Sequence, residues 1–481
     1  MSRLLVMGVG PIAPEKPRRL MAPGLRTWSF AEYLAQSGHE VVLVEALFGG
    51  GDIRVCYPVA QFSLPHGVQL WHVVFHVQHV AAACRRLHEE KRFDAAIATT
   101  DLMCAALAEA RLSCPIWLDF NGHPMAERQM LAALHGNDAG LRDQWNLVVP
   151  CLLAGDRFST CSTPQRHALL GELAVAGRLN ERTAALDFVH SLPPVMPSLD
   201  LKPTGPAVRG KAVPNDAFIV LWTGGYNTWT DVDTLFEGLA MAMGREARLY
   251  FVSTGGAIEG HDDRTYRRFE SLIAASPFRE RFVLSGWVEL DEVKNYYAEA
   301  NVAVNIDADT VEGRLGHRNR VTEWIMAGTP VISTALSEIT RNLAGEDAMT
   351  AFAIGDAAAL RDALLAHAAD PALGARQNAR ARDYLARRHA PGVVYRPLAA
   401  WAANPAPAPD LPPPEQRGPG RPWGPAGQLA ARLEEMWRRP PGAGKKPFGF
   451  GLGIKPRIER WIRKMVDAVI RSGRTSRERR L

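Results

Sequence analysis

Short runs of branched and small apolar residues alternate with stretches whose apolar positions recur at helical spacing. In the first half, Leu4–Val9, Val41–Val44, Ala95–Ala98, Ile116–Phe120 and Phe158–Cys161 read as buried strands. Between the first two, Phe30, Tyr33 and Leu34 share one face of a helix over Trp28–Ser37, which Gly38-His39 stops. This alternation predicts a parallel sheet covered on both faces. A proline-containing connection, Leu192 to Pro214, leads to a second unit of the same kind. Its strands are Phe218–Trp222, Leu249–Ser253, Phe282–Leu284, Val302–Ile306 and Pro330–Ser333. Helices fall at Val232–Met243, Tyr266–Ala275, Leu290–Ala300 and Arg320–Ala327, and Ala357–Ala368 and Gly374–Arg388 close the body. The pattern predicts an α/β chain with two doubly wound, Rossmann-like domains, residues 1–200 and 201–402, facing each other across a cleft. Ligands of such sheets bind at the carboxyl ends of the strands.

Composition sharpens this picture at the C-terminus. Residues 403–425 are rich in proline and read as an extended linker. From Glu415 to Leu481 there are 17 Lys and Arg against 6 Asp and Glu, although the whole chain is only +5. Within the tail, residues 426–481, the positions Ile458, Trp461, Ile462, Met465, Val466 and Val469 make an apolar stripe flanked by Arg and Lys. That composition suits a helix lying on an anionic membrane surface, and nucleic acid would not require the stripe. No apolar run approaches the about 18–20 residues of a membrane span, and Leu4–Val9 is too short for a signal peptide. Six cysteines without C-x-x-C spacing read as buried free thiols in a reducing compartment, not as a zinc or disulfide framework.

Chemistry concentrates at strand ends. Gly8-Val9-Gly10-Pro11-Ile12-Ala13 fits G-x-G-x-x-A superficially, with Glu45 as the acidic residue of a dinucleotide fingerprint. Glu45 is distant in sequence, however, and Pro11, Pro14, Pro17 and Pro23 keep a helix from starting at the glycines. The alternative is a long loop ending where the helix starts at Pro23-Gly24-Leu25-Arg26, with Gly24 and Arg26 facing an anion across the cleft. In the second unit, Gly224-Gly225 at a strand end lets a ligand approach the backbone, with Trp229 and Asp231 nearby. Arg318 and Arg320 stand at a helix start, where guanidinium groups and free N–H groups cradle a diphosphate. Glu323, a turn later, is suited to ribose hydroxyls. Two D-x-D matches, Asp231/Asp233 and Asp307/Asp309, are read as chance, and no metal site is assigned.

The block from Arg318 through Glu323 to Ala327-Gly328-Thr329-Pro330-Val331-Ile332 resembles the donor domain of GT-B glycosyltransferases of the retaining family 4. The Gly-Gly turn with its Trp and Asp, and the Arg-x-Arg segment, are closer to a bacterial subgroup found with surface-polysaccharide genes. Thr163-Pro164-Gln165-Arg166 with Gly177-Arg178-Leu179-Asn180 also resembles that subgroup. The likeness covers roughly Met1 to Ala402, and it departs at Leu315, where family 4 commonly carries a second Glu. The resemblance implies sugar transfer, with retention, from a nucleotide-diphosphate sugar to a glycan or lipid-linked acceptor. It implies no cofactor beyond that donor. It also implies a cleft histidine, His123, acting with Arg320 in catalysis; His317 is a lesser candidate and Glu127 faces the acceptor. The expected location is cytoplasmic, peripheral at the inner face of the cell membrane, with no nucleic-acid partner. The rivals are a nucleotide-sugar-binding or epimerase-like relative and an NAD(P)-dependent oxidoreductase.

Overall fold

A computed structural model describes residues 1–47, 62–195, 201–258 and 261–417. The tail stripe therefore lies outside the described residues, as does most of the charge excess.

The first domain is an eight-stranded sheet of β1 (Arg3–Val9), β2 (Glu40–Leu47), β3 (Phe62–Ser63), β4 (Gln69–Val74), β5 (Ala95–Thr99), β6 (Ile116–Phe120), β7 (Arg157–Thr160) and β8 (Val189–Ser191). Their order is β3-β4-β2-β1-β5-β6-β7-β8, parallel except for the edge strand β3. The second is a six-stranded parallel sheet of β9 (Phe218–Thr223), β10 (Leu249–Thr254), β11 (Phe282–Gly286), β12 (Val302–Asn305), β13 (Val331–Thr334) and β14 (Thr350–Phe352), in the order β11-β10-β9-β12-β13-β14. Both sheets are doubly wound, and their central strands are apolar on both faces: Leu4, Leu5, Val6 and Met7 of β1 are wholly buried, as are Val220 and Leu221 of β9. The order reverses beside β1 and beside β9. The loops after those two strands, Gly10-Pro11 and Gly224-Gly225, therefore open at the switch points where such sheets bind ligands.

The chain does not leave the first domain for good at its midpoint. Helices Pro391–Val394 and Arg396–Ala403 return to it. There Tyr395, Leu398 and Trp401 pack with Leu4, Phe30 and Trp117, and the Tyr395 hydroxyl lies 2.7 Å from Ser29 Oγ. The domain boundary expected at residue 402 thus falls near 391, because the final helices bury their apolar faces on the first sheet.

The described part of the expected linker is also docked. Asp156, fully buried at the start of β7, accepts from Ile116 N, Ala408 N and both terminal nitrogens of Arg417 at 2.7–2.8 Å. Asp410 pairs with buried Arg178 at 2.5 Å. Residues 404–417 are a strap, not a spacer. The five described cysteines are free and buried.

The two domains touch across the cleft. Leu290 N donates to Arg18 O at 3.0 Å and Arg18 pairs with Glu289 at 2.5 Å. Ser162 Oγ donates to Leu315 O, and Thr163 N donates to Glu338 at 2.8 Å.

Candidate active site

Helix Asn319–Ala327 starts at the cleft and ends at Gly328, whose φ of +91° supplies the left-handed stop before β13. Its first turn carries two arginines with opposite fates. Arg318 is buried; its Nε donates to Asp307 at 2.7 Å, and its Nη1 and Nη2 donate to Glu312 at 3.2 and 3.0 Å. Those carboxylates raise its pKa against the cost of burial. Its guanidinium is neutralised by two carboxylates, so the expected donor-phosphate contact is corrected: Arg318 is an internal brace, with Trp229 stacked 5.6 Å away.

Arg320 has no such partner. Its Cζ sits 4.1 Å over the Trp222 ring and its Nη2 donates to Gly225 O at 2.8 Å. Its Nη1 is enclosed and has no hydrogen-bond partner among the described residues. Burial pulls its pKa down to about 10, so it is still charged at neutral pH. Gly224 needs its φ of +85° for the turn above, and a Cβ on Gly225 would stand 2.2 Å from Ile258 Cδ1. Glu323 accepts from the Tyr297 hydroxyl at 3.1 Å, and burial raises its pKa. It lines an interdomain cavity of about 330 Å³ with Trp28, Tyr33, Asn121, Asn319 and Tyr395. Arg320 is not among the residues that line that cavity, although its neighbour Asn319 is.

In the first domain, Arg26 is also spent internally. It grips buried Asp119 through Nε and Nη2 at 2.9 and 2.6 Å and donates to Leu192 O at 2.6 Å. The expectation that it faces an anion is corrected for the same reason as for Arg318. Gly24 serves packing: a Cβ there would stand 2.0 Å from Pro11 O. His123 caps helix Pro124–His135, its Nδ1 accepting from Ala126 N at 3.2 Å, and its Nε2 lies 3.3 Å from Glu172. The Nδ1 is thus used by the helix cap, and the Nε2 faces a carboxylate. The ring nitrogens of His317 are enclosed, and this desolvation lowers its pKa well below the usual value; its ring lies 5.7 Å from that of His389.

Glu127, one turn into the same helix, is held next to Gly122, where a Cβ would stand 1.9 Å from its Oε1. Burial, then the charges of Glu312 and Asp101, push its pKa up to about 8. Each D-x-D carboxylate has a protein partner: Asp231 caps Thr234, Asp233 pairs with Arg268, Asp307 with Arg318 and Asp309 with Arg314. Glu45 does reach Gly10, but it is fully buried beside His72 and Glu15, where no ribose could meet it.

Sequence reasoning missed Trp222, Tyr297 and the Asp307–Glu312 clamp. Only the clamp left a signal, namely acidic residues close before the arginines.

Residues 217–370 match the family model described as Glycosyl transferases group 1. No curated protein matches the sequence. Sucrose-phosphate synthase from Thermosynechococcus elongatus superposes with a TM-score of 0.61 at 17% identity, over 83% of this chain and 97% of that one. A UDP-forming α,α-trehalose-phosphate synthase from Burkholderia xenovorans gives 0.62 at 11%, over 84% and 99%. Anabaena HepE in complex with UDP and glucose gives 0.57 at 13%, over 84% and 100%. The second domain thus carries the stretch that matches the glycosyl transferases group 1 model, and the two domains together have the GT-B fold.

Proposed function

We propose that the protein transfers a sugar, with retention, from a nucleoside diphosphate donor to a glycan or lipid-linked acceptor held by the first domain. The observation that carries this reading is Arg320, a charged guanidinium beneath the Gly224-Gly225 turn with an enclosed N–H and no carboxylate partner among the described residues. A diphosphate is the anion this group lacks. As negative charge grows on the leaving group, Arg320 and the N-terminus of helix Asn319–Ala327 stabilise it, with no metal needed. Glu323, facing the cleft cavity, takes the ribose hydroxyls.

UDP-sugars are the first donors to try, because structural neighbours are described as UDP-forming or as bound to UDP and glucose. A place in bacterial surface-polysaccharide synthesis rests on the Arg-x-Arg to Gly-Thr-Pro block. The basic tail would hold the enzyme at the inner membrane face, near a lipid-linked acceptor.

Release of UDP from UDP-glucose and related UDP-sugars, with and without oligosaccharide and polyprenyl-phosphate-linked acceptors, tests the assignment. Transfer predicts UDP release that rises sharply with acceptor and a product of the same anomeric configuration. Sugar isomerisation without UDP release would indicate an epimerase-like relative, and a requirement for NAD(P) an oxidoreductase.

A further inference from the structure

The loop after β1 carries a second polar cluster, away from the diphosphate side. Glu45 ends up at the top of β2, His72 stands beside it on β4, and Glu15 comes from the short turn Ala13–Glu15. His72 Nε2 lies 2.8 Å from Glu15 Oε1 and 3.4 Å from Glu45 Oε2, and all three ligating atoms fall within 4.8 Å of one another. Glu45 is 0% exposed, and neither of its oxygens has a hydrogen-bond partner among the described residues. A glycine makes the room: a Cβ at Gly10 would stand 1.6 Å from Glu45 Oε1.

We propose that Glu15, Glu45 and His72 form a binding site for a first-row divalent cation of the zinc type. One imidazole and two carboxylates are a ligand set zinc accepts. A tetrahedral zinc with bonds of about 2.1 Å holds its ligands about 3.4 Å apart, a value that lies between the 2.8 Å of the closest pair and the 4.8 Å that bounds the set. Charge points the same way. Among the described residues, a protonated His72 supplies one positive charge to two carboxylates, one of them fully buried, and leaves the cluster at −1. A dication with neutral imidazole cancels both.

The site would act on the loop, not on the transfer chemistry. Ala13 and Pro14, just before Glu15, line the interdomain cavity, and Arg18, just after it, holds Leu290 and Glu289 of the second domain. A cation at Glu15 therefore fixes the cavity wall and the contact between domains.

Metal-stripped full-length protein titrated with zinc chloride should bind about one equivalent and melt at a higher temperature with it. Cobalt(II) in its place should give tetrahedral d–d absorption without thiolate-to-cobalt charge transfer, because no cysteine belongs to the site. His72→Ala and Glu45→Gln should abolish binding. Glu15→Gln, at the partly exposed edge, should weaken it by about tenfold or more while the protein stays folded without metal, as its circular dichroism shows. Sub-stoichiometric zinc in the wild type, a thiolate band, or unaltered binding by Glu15→Gln would overturn the proposal.

Discussion

Two arginines two residues apart divide the work of charge at the cleft. Arg318 is held by Asp307 and Glu312, whereas among the described residues Arg320 is held only by a carbonyl and an indole face. A buried cation already paired with carboxylates has little left to offer a phosphate, and an unpaired one is costly unless an anion arrives. The Arg-x-Arg motif is legible in the sequence, and acidic residues stand close before it, but which arginine Asp307 and Glu312 take is settled only by the loop after β12 and the helical turn that follows. Arg26 was misjudged for the same reason: Asp119 lies 93 positions away.

The carboxyl of Glu127 is more directly testable. It holds its proton to about pH 8 in the native state, whereas the unfolded chain releases it near the ordinary value of about 4.3. Its contribution to stability is therefore complete below the unfolded value and is lost as pH rises through about 8. The melting temperature of the wild type should fall relative to Glu127→Gln between about pH 5 and about pH 9. Parallel curves would contradict the assigned environment. His123 makes a separate case. As a cap, its replacement by Ala should cost about 0.5–2 kcal/mol, and Asn should restore both stability and turnover. Stability restored without turnover would return His123 to the transfer step.

Elements with a strong period were legible almost to the residue, as at Val232–Met243 and Ile116–Phe120, because wholly buried strands and amphipathic helices write their burial into the sequence. β4 was not. Its polar positions Gln69 and His72 break the apolar run, and His72 is there for its contact with Glu15 and Glu45. Nor was the strap over 404–417. Proline-rich composition signals extension, and nothing local reveals that Asp156 and Arg178 wait for it. A chain ending at Arg417 should melt like the full-length protein. One ending at Ala403 should lose on the order of 3–5 kcal/mol, because buried charges lose their partners. Equal melting would show that the strap is not an anchor.

At the scale of the whole molecule, two doubly wound sheets place their switch-point loops face to face, and the returning C-terminal helices tie the second domain back to the first. The two-domain α/β architecture and its cleft could be read from alternation alone, since each sheet buries apolar strands on both faces. The tail adds a further level. Cutting after Arg417 removes the basic stripe and keeps the strap, and it should abolish sedimentation with anionic vesicles while transfer to a soluble acceptor persists. Sedimentation of the truncated chain would place the membrane contact elsewhere.

The measurement that bears most directly on the central claim is calorimetric binding of UDP and of uridine to the wild type and to Arg320→Ala. If Arg320 is the diphosphate grip, the substitution costs UDP about 1.5–3 kcal/mol, roughly ten- to hundredfold in affinity, and leaves uridine unchanged. Equal losses for both ligands, or none for UDP, would contradict the claim.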